Sequence, residues 1–345
     1  MLPVFDGHND ALTRRDHARI VDGRAGGHLD LPRMRAGGIR GGIFAVFTPS
    51  RRPRRRALAR RADRTLDAEY ARGVDHRRAA AESTAVAGRL LALEQAGHVR
   101  LARRAADLDA ARDDDGPPVS VLHLEGAEAI DPSLEALDLW YAAGLRSLGP
   151  VWSRANAFGH GVPFLFPSSP DTGPGLTDAG RALVRRCAEL GILVDLSHLN
   201  EAGFWDLARL EPGPLVATHS AVHALCPASR NLTDAQLDAI AAADGVIGIV
   251  FACPFLRPDG ADDPDTPLEL IAAHARYVAE RIGTRHVALG SDFDGATIPA
   301  SLGDAAGVPR LLEALAQAGF TREELAAIAW GNWRRVLAAW WDGSP

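Results

Sequence analysis

The chain has 345 residues, 47% of them apolar and 24% charged, which is enough to bury a sizeable core in a water-soluble fold. A formal net charge of -6 argues against a general nucleic-acid binder, and three cysteines with no Cys-x-x-Cys pair exclude a disulfide framework or a cysteine-based zinc knuckle. Lysine is absent altogether, so a carboxylated lysine cannot bridge two metals; a bridging side chain would have to be a carboxylate.

From Met1 the sequence passes almost directly into a first apolar run, Pro3–Phe5, with no charged, apolar and cleavable leader. No stretch is apolar enough to span a bilayer. A cytoplasmic enzyme with no membrane partner is the expectation. Further runs that read as buried strands lie at Gly42–Phe47, Val119–Leu124, Arg146–Trp152, Leu193–Ser197, Leu215–Thr218, Val246–Phe251 and Val287–Gly290. Helical patterns separate them, among them Leu176–Leu190, Asp234–Ala242, Pro267–Ile282 and Arg322–Trp341. This order predicts an α/β fold, a (β/α)8 TIM-type barrel forming a single domain over 1–345. A helical insert at about 51–118 follows the second strand, with two helices and a turn-rich exit loop. Its arginine run, Arg51–Arg56, is followed by Asp63, Asp67 and Glu69, so it reads as an ion-paired solvated helix face and not a nucleic-acid patch.

Acidic and imidazole groups close several of these runs. His8 and Asp10, two residues apart on an extended strand end, point to the same side and suit one metal. Glu125 ends the run Val119–Leu124, where a carboxylate is costly unless it is paired or metal-bound; Glu paired with Arg is the alternative. His198 and His219 end the fifth and sixth runs and can converge on a second metal. Asp292, in Gly-Ser-Asp-Phe-Asp-Gly, is placed to move a proton between a water and a leaving amine, while Asp294 turns the loop. His123 shares a strand face with Glu125 and reads as a group beneath the metals. His160, in Gly-His-Gly, could reach the pocket from the fourth loop.

With these residues placed, the chain resembles the membrane (renal) dipeptidase family, zinc dipeptidases of the amidohydrolase superfamily. The resemblance runs from Phe5-Asp-Gly-His-Asn-Asp10 to Trp330-Gly-Asn-Trp-Arg-Arg-Val336, through Leu31–Gly38, Val194–His198 and Ser229–Asp234. It implies two divalent metal ions, zinc, one held by His8 and Asp10, the other by His198 and His219, with Glu125 between them. It implies a dipeptide substrate, L-Xaa-L-Xaa or L-Xaa-D-Xaa, attacked by a metal-bridging hydroxide. By the same resemblance Arg230 binds the substrate carboxylate, and Asp292 contacts its amino group and shuttles the proton. Where well-studied relatives carry a histidine thought to steady the tetrahedral intermediate, this chain has Trp152; its indole N–H, Asn156 or His160 would substitute. A homodimer is admitted by family analogy alone. The competing readings are an amidohydrolase acting on N-acyl amino acids or lactones, and a barrel that binds a ligand without catalysis.

Overall fold

The computed structural model describes residues 1–50, 73–113 and 116–342. The Arg51–Arg56 run, its acidic neighbours Asp63, Asp67 and Glu69, and Asp114 and Asp115 lie outside the described residues. Nine strands occur among those described: β1 (Val4–Asn9), β2 (Ile39–Val46), β3 (Arg100–Leu101), β4 (Val119–Glu125), β5 (Leu145–Gly149), β6 (Leu193–Val194), β7 (Val216–Ser220), β8 (Val246–Ile249) and β9 (Val287–Leu289). Every pairing is parallel. Two curled sheets, β1-β2-β4-β5-β6 and β7-β8-β9, are joined where Asp195 bridges Val216 and where Asn9 bridges Phe293. Leaving out β3, which pairs only with β4, the other eight strands close into a (β/α) barrel.

The helices alternate with these strands: α1 (Leu31–Ala36), α2 (His76–Gln95), α3 (Ala105–Asp113), α4 (Glu135–Ala142), α5 (Asp178–Leu190), α6 (Glu201–Ala208), α7 (Asp234–Ala242), α8 (Cys253–Leu256), α9 (Leu268–Ile282), α10 (Val308–Gln317), α11 (Arg322–Ala326) and α12 (Asn332–Trp341). Barrel strands are covered on both faces, inside by each other's side chains and outside by helices, so they are apolar without alternation. β1, β4, β7, β8 and β9 are buried along their whole length. Strands approach closely around β7: a Cβ on Gly248 or Gly290 would lie 2.0 Å from the Thr218 carbonyl oxygen, and only glycine fits there.

Four expectations need correction. The strand expected at Arg146–Trp152 stops at Gly149 because Pro150 has no N–H for a ladder. β6 is two residues long; beyond it the backbone of the expected run meets β7 only through the Asp195–Val216 bridge and the Leu196 N–H, which donates to the Val216 carbonyl. The expected helix Arg322–Trp341 is interrupted by a π turn over Ala327–Gly331. That turn sets Asn332 to donate to the Thr284 and Val287 carbonyls and the buried Trp333 Nε1 to donate to Leu289. Among the described residues of the insert are two helices, α2 and α3, and also the short strand β3.

Candidate active site

The strand ends bring His8, Asp10, Glu125, His198 and His219 into one buried cluster at the mouth of the barrel, none more than 6% exposed. Glu125 Oε1 is 2.9 Å from His198 Nε2 and 3.6 Å from both His8 Nε2 and His219 Nε2. His8 Nε2 is 3.9 Å from Asp10 Oδ2, and the His198 and His219 Nε2 atoms are 3.1 Å apart. Donor atoms of His8, Asp10 and Glu125 lie within 4.8 Å of one another, and so do those of Glu125, His198 and His219. Glu125 therefore belongs to two ligand triads. A third overlapping group, His8, His219 and Asp292, adds the last strand to the cluster.

These donors fit divalent cations. Both ring nitrogens of His8 and Oδ1 of Asp10 are buried with no hydrogen-bond partner, which is costly unless an ion satisfies them. Burial, and secondarily neighbouring cations, holds His8 and His219 in the neutral, ligating form. Burial, then the mutual repulsion of the acids, pushes Glu125 and Asp10 well above the usual carboxylate range. A divalent cation between them removes that penalty. Imidazole with carboxylate is the donor set of zinc-like ions.

A surrounding layer aims the imidazoles. The Thr218 hydroxyl donates to Asp195 Oδ2 at 2.6 Å and so accepts from His219 Nδ1 at 2.9 Å, leaving the His219 Nε2 lone pair facing the cluster. Asp195 also accepts from the backbone N–H groups of Thr218 and Ser197. Ser153 Oγ is 2.7 Å from His198 Nδ1, and Ser147 Oγ is 2.9 Å from His123 Nδ1. His123 packs edge-on to His8 at 5.5 Å. Asp6, its pKa pushed up to about 6 by burial, takes hydrogen bonds from the backbone and hydroxyl of Ser291 and pins β1 to the loop of Asp292. Sequence reading passed over Asp6, Ser153, Asp195 and Thr218. A carboxylate inside an otherwise apolar run, as in Val-Asp-Leu-Ser-His, was the available signal.

Three residues of the site carry left-handed backbone without being glycine: His198 (φ 69°), Asp292 (φ 57°) and Asp294 (φ 70°). Such strain persists only where surrounding bonds hold it. Here the Asp292 and Asp10 N–H groups bond to the carbonyls of His8 and Phe293, lacing the last loop to β1. Asp294 sits outside the cluster, bound by Arg24 at 3.0 Å and by the His28 backbone, and does turn the loop.

Above the cluster opens a cavity of about 730 Å3, walled by Phe47, Trp152, Phe164 and Phe255 and by one face of α2. Trp152 stacks on the His198 ring at 5.2 Å. The expected substitutes for the family histidine do not join it. Asn156 staples its own loop, donating to the Pro150 carbonyl and accepting from Phe158 N–H, and His160 Nδ1 faces the Gly175 carbonyl; neither lines the cavity. Arg230 is buried behind His219, donating to its carbonyl at 2.8 Å and to Ser220 Oγ at 3.2 Å. Its guanidinium is close to the acids but outside the cavity lining, with a partnerless Nε.

Residues 1–340 match the family model for membrane dipeptidase, peptidase family M19. The crystal structure of dipeptidase AC, a family M19 metallopeptidase, is similar at TM-score 0.90 and 45% identity, with 99% of each chain covered. A Rhodobacter sphaeroides metallopeptidase solved with a phosphinate mimic of the dipeptide L-Ala-D-Ala is similar at TM-score 0.90 and 44% identity, again over 99% of each chain. A Klebsiella pneumoniae protein encoded in the pqqA 5' region is 50% identical over 252 residues, 73% of this chain and 93% of that one. With nearly its whole length matched and a metal-ligand cluster at the barrel mouth, the chain belongs to the membrane dipeptidase family, peptidase family M19, and is a metallo-dipeptidase.

Proposed function

We propose that this chain is a binuclear zinc dipeptidase that cleaves L-Xaa-L-Xaa and L-Xaa-D-Xaa dipeptides. The observation that carries the number of metals is the double membership of Glu125 in the two ligand triads. His8 and Asp10 would hold one ion with Glu125, and His198 and His219 the other. Divalent ions there supply Lewis-acid polarisation of the peptide carbonyl and lower the pKa of water enough to furnish hydroxide near neutral pH.

The chain's own residues do the rest. Asp292, raised to about 7 by burial that Arg230 only partly offsets, takes a proton near neutral pH and returns it to the departing amine. Arg230, stripped of water and lowered to about 10, is the counter-charge for the substrate carboxylate, acting from behind His219. The aromatic wall of Trp152 and Phe164 excludes water from the cluster and holds the small substrate over it. The L-Ala-D-Ala mimic bound by the Rhodobacter sphaeroides relative supports acceptance of a D-residue at the second position.

The test is amine release from L,L and L,D dipeptides set beside their amidated and N-acylated forms, with metal content measured on the same sample. Two zinc ions per chain and hydrolysis confined to free dipeptides are expected. Cleavage of N-acylated forms in preference would move the chain to the N-acyl amino-acid hydrolases, and a single tightly held metal would sink the binuclear assignment.

A further inference from the structure

Four residues of α2, Glu82, Ala85, Val86 and Arg89, line the cavity. Their spacing of three, four and seven puts them on one helix face, so the insert supplies one bank of the substrate site. Most of the charge on the cavity wall is already matched. Glu82 is held by Arg78 through two bonds of 2.8 and 3.2 Å. Asp294 is held by Arg24, and Asp10, Glu125 and Asp292 belong to the metal cluster. Arg89 is different. Among the described residues it is the one cationic side chain in the lining, and no described carboxylate lies within 4 Å of it. It is half-buried, and one of its N–H groups is spent on the Leu12 carbonyl at 2.6 Å. That bond fixes the guanidinium while leaving other donors of its fork for a ligand.

Its position gives the ligand a direction. Leu12 follows Asp10 by two residues, and Thr13 lines the cavity beside it, so Arg89 stands on the bank of Asp10 and Asp292. By the family resemblance, Asp292 contacts the substrate's free amino group as well as serving the departing amine. The side chain next to that amino group belongs to the amino-terminal residue of the dipeptide. Asp262, on the loop between α8 and α9, also lines the cavity without an ion pair to any described residue and disfavours a carboxylate on its own side.

We propose that Arg89 is a specificity residue that selects dipeptides with an acidic amino-terminal side chain, Asp or Glu. The proposal rests on the dipeptidase reading and can fail separately from it. The experiment compares Glu-Ala, Gln-Ala and Ala-Glu with the metal-loaded full chain and with Arg89→Gln and Arg89→Lys. Calorimetric binding of Glu-Ala and Gln-Ala to the metal-stripped proteins runs alongside. The expected result is a kcat/KM for Glu-Ala about tenfold above Gln-Ala, residing in KM, with the ratio falling to near one in Arg89→Gln and partly kept in Arg89→Lys. Binding should follow the same ratio. A ratio unchanged in Arg89→Gln, both substrates falling together, would show that Arg89 only tethers the Leu12 loop and overturn the proposal. So would a wild-type preference for Ala-Glu. Absence of hydrolysis of all three, with binding still dependent on Arg89, would overturn the dipeptidase reading and leave the selectivity standing.

Discussion

Thr218 donates its hydroxyl proton to Asp195 at 2.6 Å and can therefore only accept from the imidazole of His219. This fixes the His219 tautomer from outside the cluster, with the residue after β6 supplying the carboxylate and β7 the hydroxyl. Thr218→Val keeps the shape and removes the acceptor, leaving Nδ1–H buried and unpaired. Metal affinity should fall by about 10–100-fold with little change in fold. Competition with a chelator of known affinity measures it, and an unchanged zinc affinity would refute the relay.

In the metal-free barrel, burial and the neighbouring Asp10 and Asp292 all disfavour the charge of Glu125. Glu125→Gln removes that charge and the shared ligand together. Activity should fall on the order of a thousandfold. The metal-free variant should nonetheless be more stable than metal-free wild type at neutral pH, by about 1–3 kcal/mol, while gaining less from added zinc. Urea titrations with and without zinc give both numbers; a metal-free variant weaker than wild type would contradict the electrostatic account.

The cluster was legible in the sequence because its members terminate apolar runs. His8 and Asp10 share a strand side, Glu125 closes a run that nothing else explains, and His198 and His219 sit at consecutive strand ends. The groups that aim them were not. Ser153, Thr218 and Asp195 are small polar residues whose role depends on which strand lies alongside, and spacing within one strand carries no trace of that. Loop residues fared worst. Asn156 and His160 have suitable chemistry, but their loop folds back on Pro150 and Gly175 and spends their polar atoms there. Arg230 has the right neighbourhood, and only the path of the chain after β7 decides that its guanidinium lies behind His219.

Arg24 and Asp294 form an ion pair with both side chains fully buried, tying the loop after β1 to the loop after β9. Such a pair contributes little relative to apolar packing, but removing one partner strands the other charge. Asp294→Asn should destabilise by about 3–5 kcal/mol, and it also weakens the bond to His28 N–H that holds Asp294 at its left-handed φ. Pairing it with Arg24→Met should recover a large part of the loss. A loss of unfolding free energy below about 1 kcal/mol for Asp294→Asn in denaturant titrations would mean the pair is not buried in solution.

His274 on α9 accepts a hydrogen bond at Nδ1 from Val222 N–H, so it is neutral and donates from Nε2 to the Leu256 carbonyl. Burial lowers its pKa from 6.5 to about 4. Between those values the unfolded chain binds the proton and the folded chain does not, so stability falls as pH drops. The contribution is complete above about 6.5 and disappears as pH falls toward 4, a loss of roughly 2–3 kcal/mol by pH 4.5. His274→Gln, which has a donor and an acceptor but no charge, should show that much less acid sensitivity than wild type. Unfolding free energies of both proteins at pH 7 and pH 4.5 decide it: parallel losses would mean that His274 either titrates normally in the fold or lets water reach its ring.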